Sequence, residues 1–154
     1  MLIQLSLASL MVLFTVAVHL LGLSILIRLF RSDHPLFRPV RLTTLGILMT
    51  ASLGIFAIHT VEIWFYALLY VALGAIGSFE ESLYFSTVTY ASIGYGDVLM
   101  AKSWRILGAI EGTTGIIMLG WSTAFLVSLL TQLRLLSHDW LSPSLPALTG
   151  DETP

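Results

Sequence analysis

The chain has 154 residues, of which 56% are hydrophobic and only 10% are charged, whereas soluble domains carry about 25% charged residues. This composition predicts a membrane protein. The formal net charge of −2 gives no basic surface for nucleic acid, and the absence of cysteine excludes disulfides, thiolate metal ligands and cysteine nucleophiles.

Three apolar stretches reach the roughly 20 residues that a bilayer-spanning helix needs: Leu2–Ile27, Leu42–Gly77 and Ile106–Leu133. The first has no basic segment before it and is too long for a signal peptide, so we interpret it as a membrane span. In the second, Trp64, Phe65 and Tyr66 are expected to anchor the outer end at the interface.

The connection between the first two spans carries the positive charge that sets orientation. Arg28, Arg31, Arg38 and Arg41 lie in or beside it, and basic loops remain cytoplasmic. The N-terminus is then outside, the tail 135–154 is cytoplasmic, and the protein is multi-pass, as expected for a bacterial inner membrane. No span repeats arginine at every third residue, so the sequence encodes no voltage sensor.

The segment between the second and third spans is too short to cross the bilayer. Ser78 and Glu81 have the spacing of a capping box, which predicts a short re-entrant helix over residues 79–91. Its C-terminal end points into the membrane, where its partial negative charge favours a cation. The polar, glycine-containing stretch that follows requires a wet environment, because lipid does not satisfy non-helical backbone.

The string Thr89-Tyr90-Ala91-Ser92-Ile93-Gly94-Tyr95-Gly96-Asp97 resembles the signature of potassium channels. The resemblance covers about residues 42–133. It implies that backbone carbonyls replace the water shell of K⁺ in a ring built from four chains, hence a homotetramer. The implied K⁺-coordinating residues are Ser92, Ile93, Gly94, Tyr95 and Gly96. K⁺ is the permeant ligand, and neither a resident cofactor nor an enzymatic activity is predicted.

The resemblance also implies roles outside the filter. Asp97 supports the filter from behind, with a hydrogen bond expected from Tyr84, and Gly115 corresponds to the gating hinge of the third span. Close helix packing explains Gly115 equally well. Residues that recur every four positions are predicted to line the cavity and gate, namely Thr123, Val127 and Thr131.

Two departures from the family pattern stand out. Ser92 occupies the usual threonine position, which leaves selectivity for K⁺ over Na⁺ open. Val88 occupies a position where related two-helix channels carry a glutamate that pairs with the filter acid.

Strongly polar side chains inside a span are candidates for function by default. We therefore predict that Glu111 replaces the missing carboxyl by bonding pore-helix hydroxyls such as Thr87 or Thr89, with His59 and Glu62 nearby. A neutral Glu111 that only ties helices together is the alternative. His59 and Glu62 are the only pair that invites a metal or enzyme site; without a second pair we do not favour one, and we expect His19 to be a packed polar residue.

The sequence thus predicts an all-α membrane protein of three transmembrane helices plus a re-entrant pore helix and filter loop. Its predicted parts are the first span (1–30), a basic loop (31–41), a pore module (42–134) and the tail (135–154). Within the pore module lie an outer helix, the pore helix (79–91), the filter (92–97) and the inner helix (104–134). The predicted function is a potassium channel; the alternatives are a poorly selective cation channel and a non-conducting subunit.

Overall fold

The computed structural model describes residues 1–31 and 43–133. The helices in these ranges are α1 (Leu2–Arg31), α2 (Thr44–Ala72), α3 (Phe79–Tyr90), a 3₁₀ turn (Lys102–Trp104) and α4 (Arg105–Gln132), and the described ranges contain no strand. The predicted all-α fold class is confirmed. The basic loop that follows residue 31 and the tail 135–154 lie outside the described residues.

Within the described residues, three segments are long and apolar enough to cross a membrane: Leu2–Arg31, Thr44–Ala72 and Lys102–Gln132. The 30 residues of α1 extend about 45 Å at 1.5 Å per residue, more than a hydrocarbon core of about 30 Å. The second span is shorter than the apolar run that predicted it. The helix stops at Ala72 because the chain turns at Gly74, which has φ +58°, and the Ala75 amide donates to the Tyr70 carbonyl at 2.9 Å.

The short helix α3 begins where its cap predicts. The Ser78 side chain accepts a hydrogen bond from the Glu81 amide at 3.2 Å, and two acidic residues in the first turn complement the positive end of the helix dipole. Its 12 residues reach only about 18 Å, too short to cross a bilayer. Helix α3 therefore packs within the fold without spanning the bilayer.

Helix α3 packs between α2 and α4, and α1 packs against both of these long helices. Two glycines allow α1 and α2 to approach closely. A Cβ atom on Gly22 would lie 2.5 Å from the Ile58 side chain, and one on Gly54 would lie 2.3 Å from that of Leu26. Small residues serve this purpose at membrane helix interfaces, so α1 is fixed to α2 of its own chain.

The main core lies beside α3, at the C-terminal end of α2 and the N-terminal end of α4, and Tyr66 and Tyr70 are its largest members. The expectation that Tyr66 is an interfacial anchor is wrong, because this side chain is fully buried. Trp64 and Phe65 are exposed. Successive helical residues point about 100° apart, so three consecutive aromatic residues do not share one face.

Candidate functional site

The segment after α3 has an alternating backbone. Ser92, Gly94 and Gly96 have φ values of +58°, +58° and +79°, while Ser92 is the only residue other than glycine with positive φ in the described ranges. Only glycine adopts such angles at little steric cost. Residues 91–97 are exposed on the surface of the single chain. Positive φ therefore recurs at every second residue of an exposed, non-helical segment.

The amides of this segment turn back toward the end of α3. The Ser92 amide donates to the Thr89 carbonyl at 2.9 Å, and the amides of Ile93 and Gly94 share the Val88 carbonyl at 2.8 and 3.1 Å. These bonds satisfy carbonyls that a helix C-terminus otherwise leaves free. In the described part of the chain, no backbone amide donates to the carbonyls of residues 92–96. Those oxygens remain available to a ligand.

Asp97 closes the segment by a contact with the side of α3. The Tyr84 hydroxyl donates to Asp97 Oδ2 at 2.8 Å, the pairing that the sequence suggested. This hydrogen bond holds the pKa of Asp97 below its usual value and raises the pKa of Tyr84. The Asp97 end of the segment is thereby tied to the helix that precedes it.

Glu111 lies fully buried behind α3, with partners different from those expected. Its carboxyl contacts the Ser86 hydroxyl at 2.5 Å and accepts a hydrogen bond from Tyr70. The expected contact with Thr87 or Thr89 is wrong. Thr87 is on the exposed face of α3, where its hydroxyl donates to the Leu83 carbonyl, whereas Ser86 faces the long helices.

The hydrogen-bond geometry at Ser86 bears on the charge of Glu111. Ser86 Oγ lies 3.0 Å from the Ile63 carbonyl as well as next to the carboxyl, but a hydroxyl has a single proton to donate. A protonated carboxyl satisfies both contacts by donating to Ser86, which then donates to Ile63. The arrangement is thus complete with a neutral Glu111, the alternative that the sequence left open.

His59 and Glu62 belong to a second buried cluster, which includes a residue that sequence reasoning set aside. Glu62 accepts from the Tyr90 hydroxyl at 2.5 Å and lies 3.0 Å from Nδ1 of both His59 and His19. His59 Nε2 lies 2.9 Å from Ser122 Oγ. The cluster joins all four helices, and no hydrogen bond among the described residues connects it to Glu111. The available signal for His19 was its position as a polar residue in an apolar span.

Gly115 lies against the end of α3. A Cβ atom there would be 2.1 Å from the carbonyl oxygen of Tyr90, a distance that real contacts do not reach. A Cβ on Gly112 would meet the Thr89 carbonyl at 3.3 Å. Close packing therefore accounts for glycine at position 115, while its role as a hinge stays a prediction.

The remaining predicted residues lie further along α4. Thr123, Val127 and Thr131 are exposed in the single chain, and the two threonine hydroxyls donate to carbonyls four residues earlier in their own helix. This spacing places the three side chains on nearly one face of the helix. That face has no cover from the described part of the chain and is available to the pore that the sequence predicts.

A model of a family described as "Ion channel" matches residues 55–132, about half of the chain. The chain belongs to this family of ion channels, and with three described helices long and apolar enough to span a membrane it is a multi-pass membrane protein. The family points to transport rather than to enzymatic catalysis. The match covers most of α2, then α3, the loop and α4, and leaves α1 outside. No curated protein and no solved structure matches the chain.

Proposed function

We propose that the protein is a potassium-selective channel in which four chains surround one pore. The observation that carries this proposal is the alternation of positive φ at Ser92, Gly94 and Gly96 beside carbonyls that accept no backbone hydrogen bond within the described ranges. A dehydrated K⁺ needs several oxygen ligands from different directions. One chain supplies one side of such a ring, through the carbonyls of Ser92, Ile93, Gly94 and Tyr95.

The surroundings of the segment support the same proposal. The C-terminal end of α3 directly precedes Ser92, so its partial negative charge lies at the inner end of the segment. Asp97 and Tyr84 restrain the outer end. Residues 91–97 are exposed in the single chain, and exposed non-helical backbone at membrane depth needs water or protein around it. A tetrameric pore supplies both.

The proposed orientation follows the basic loop. With residues 31–41 in the cytoplasm, the N-terminus and the Gly74–Ser78 turn are outside the cell membrane, and the tail is inside. Cysteines introduced at Gly74 or Ser78 then react with an impermeant reagent added outside, whereas a cysteine at Gly46 does not. If only the cysteine introduced at Gly46 reacts, the topology is the reverse of the one proposed.

The test of the proposed function is flux through the purified protein in liposomes. A K⁺ gradient is expected to drive a flux that barium blocks, and cross-linking is expected to give species up to four chains. Protein that assembles in the membrane but carries no K⁺ would overturn the proposal and leave the non-conducting subunit as the better interpretation.

The second candidate, a poorly selective cation channel, is favoured by Ser92. Serine supplies the hydroxyl of the usual threonine but lacks its methyl group, and here it also takes the left-handed backbone region, which glycine prefers. Reversal potentials in mixed Na⁺ and K⁺ separate the two candidates. A value at the K⁺ equilibrium potential supports selectivity, and a value near zero in symmetrical total cation supports the alternative.

A further inference from the structure

The second buried cluster contains three side chains whose chemistry suits a metal ion. The ligand atoms of His19, His59 and Glu62 all lie within 4.8 Å of one another, and all three residues are buried. The geometry points to a binding site for a divalent transition-metal ion of the Zn²⁺ class at this position. The site lies behind the pore helix and is separate from the proposed filter.

The distances fit the ion. Zinc bonds to imidazole nitrogen and carboxylate oxygen are about 2.0–2.2 Å long, so the ligand atoms of a tetrahedral site are about 3.3 Å apart. Here Oε1 of Glu62 lies 3.0 Å from Nδ1 of His19, and Oε2 of Glu62 lies 3.0 Å from Nδ1 of His59. The carboxylate thus faces both imidazoles, and one ligand atom from each residue already lies within 4.8 Å of the other two. Rotation of these side chains would bring the three atoms to the tetrahedral spacing. Two histidines and one glutamate form a known zinc-binding set that leaves a fourth position for water.

The supporting contacts also suit a metal site. Nε2 of His59 lies 2.9 Å from Ser122 Oγ, which leaves Nδ1 as the ligand atom, and histidine ligands are commonly held by such a contact on their second nitrogen. The Tyr90 hydroxyl lies 2.5 Å from Glu62 Oε2 and faces the same space. The side chain of His59 keeps 10% of its accessibility, so the site is not sealed.

The local charge favours a cation. Glu62 is the only acid in the cluster, the two imidazoles are neutral when they ligate, and Tyr90 is the last residue of α3, whose C-terminal end is partially negative. A bound ion replaces the hydrogen bond between His19 of α1 and Glu62 of α2, and the one between His59 and Glu62 within α2, with bonds to the metal. Because His19 is on α1 and the other ligands are on α2, the ion would fix the first span to the pore module.

The test is metal binding by the full chain, purified without a histidine tag and stripped with a chelator. Zn²⁺ titrated against a chromophoric chelator is expected to bind once per chain, and Co²⁺ is expected to give the intense visible bands of a tetrahedral site. His19→Ala and Glu62→Gln are each expected to lower the affinity at least about tenfold. The double variant His34→Ala/His138→Ala and the variant Glu111→Gln are the controls and keep the parent's affinity.

Every outcome decides the proposal. Parent protein that binds no Zn²⁺ at micromolar concentration, or binds it as well in both cluster variants, overturns it. If His19→Ala fails to assemble, Glu62→Gln decides, because the amide preserves the shape of the carboxyl. The readout does not depend on conduction, so metal binding without K⁺ flux refutes only the proposed function, and flux without metal binding refutes only this inference.

Discussion

Substituting Gly115 with alanine tests the packing of α4 against the end of α3. The new Cβ would lie 2.1 Å from the Tyr90 carbonyl oxygen and 2.8 Å from its carbon. These are backbone atoms, which cannot rotate away as a flexible side chain would. Relief requires the helices to separate by about 1.3 Å, because ordinary contacts begin near 3.4 Å. Overpacking of this kind costs about 1–3 kcal/mol.

The structure also provides graded controls. Gly112→Ala meets the Thr89 carbonyl at 3.3 Å and needs only a small adjustment, and a Cβ on Gly120 has nothing within 4 Å. A cost of 1 kcal/mol shifts a melting temperature by roughly 2–4 °C in a chain of this size. We therefore expect the melting temperature of Gly115→Ala to be about 2–12 °C below that of the parent. The melting temperature of Gly120→Ala is expected to match that of the parent, and that of Gly112→Ala to lie between those of the other two variants.

The assay is the apparent melting temperature of the detergent-solubilised protein, with K⁺ flux measured on the same preparations. The end of α3 carries the proposed filter segment, so displacement at Tyr90 is expected to lower flux as well as stability. If Gly115→Ala has the same melting temperature as Gly120→Ala and conducts like the parent, α4 does not approach α3 in this way.

Three further outcomes are expected. Gly96→Ala is expected to keep assembly, because the added Cβ meets no atom within 4 Å. It is expected to lose the preference for K⁺ over Na⁺ in reversal potentials, because alanine is strained at φ +79° by about 1–2 kcal/mol. Unchanged selectivity would disprove the filter assignment. Tyr84→Phe removes the hydrogen bond that lowers the pKa of Asp97. The lowered pKa of Asp97 contributes stability that is fully present above pH 3.8, the ordinary value, and is lost as the pH falls through the lowered pKa. In the variant Asp97 becomes protonated at a higher pH, so flux should be lost at a higher pH than in the parent. If both proteins lose flux at the same acidic pH, this role of Tyr84 is contradicted. Glu111→Gln should keep assembly and the parent's pH dependence of flux, because a neutral carboxyl already satisfies the contacts of Glu111. Glu111→Leu should lose about 1–3 kcal/mol of folding stability, because it leaves buried hydroxyls unpaired. A shifted pH dependence in the glutamine variant would show that the carboxyl is charged.

Features fixed by neighbouring residues could be predicted from the sequence. The cap at Ser78 placed the start of α3, since the bond to the Glu81 amide is a contact over three residues. The lengths of the apolar runs gave the three spans. The glycines marked where positive φ occurs, except at Ser92, where the sequence predicted an altered ligand and gave no indication of its backbone angle.

Contacts between distant residues were beyond the sequence pattern. His19 and Glu62 are 43 positions apart, and the sequence of a predominantly apolar helix does not show which way His19 points. The partner of Glu111 depended on which face of α3 is turned inward. Neighbouring helical residues differ by about 100° in direction, so Ser86 and Thr87 have different surroundings, and only the packing of the long helices chooses between them.

The close fit of α1 has a consequence for where a self-sufficient unit of this protein begins. The matched region starts at residue 55, yet one oxygen of Glu62 is bonded to His19 and the groove beside Gly54 is filled by Leu26. A truncated protein that starts at the family boundary would present that carboxylate oxygen to hydrocarbon without a partner, at a cost of several kcal/mol. We therefore expect a fragment that starts at the family boundary to be less stable than one that includes the first helix.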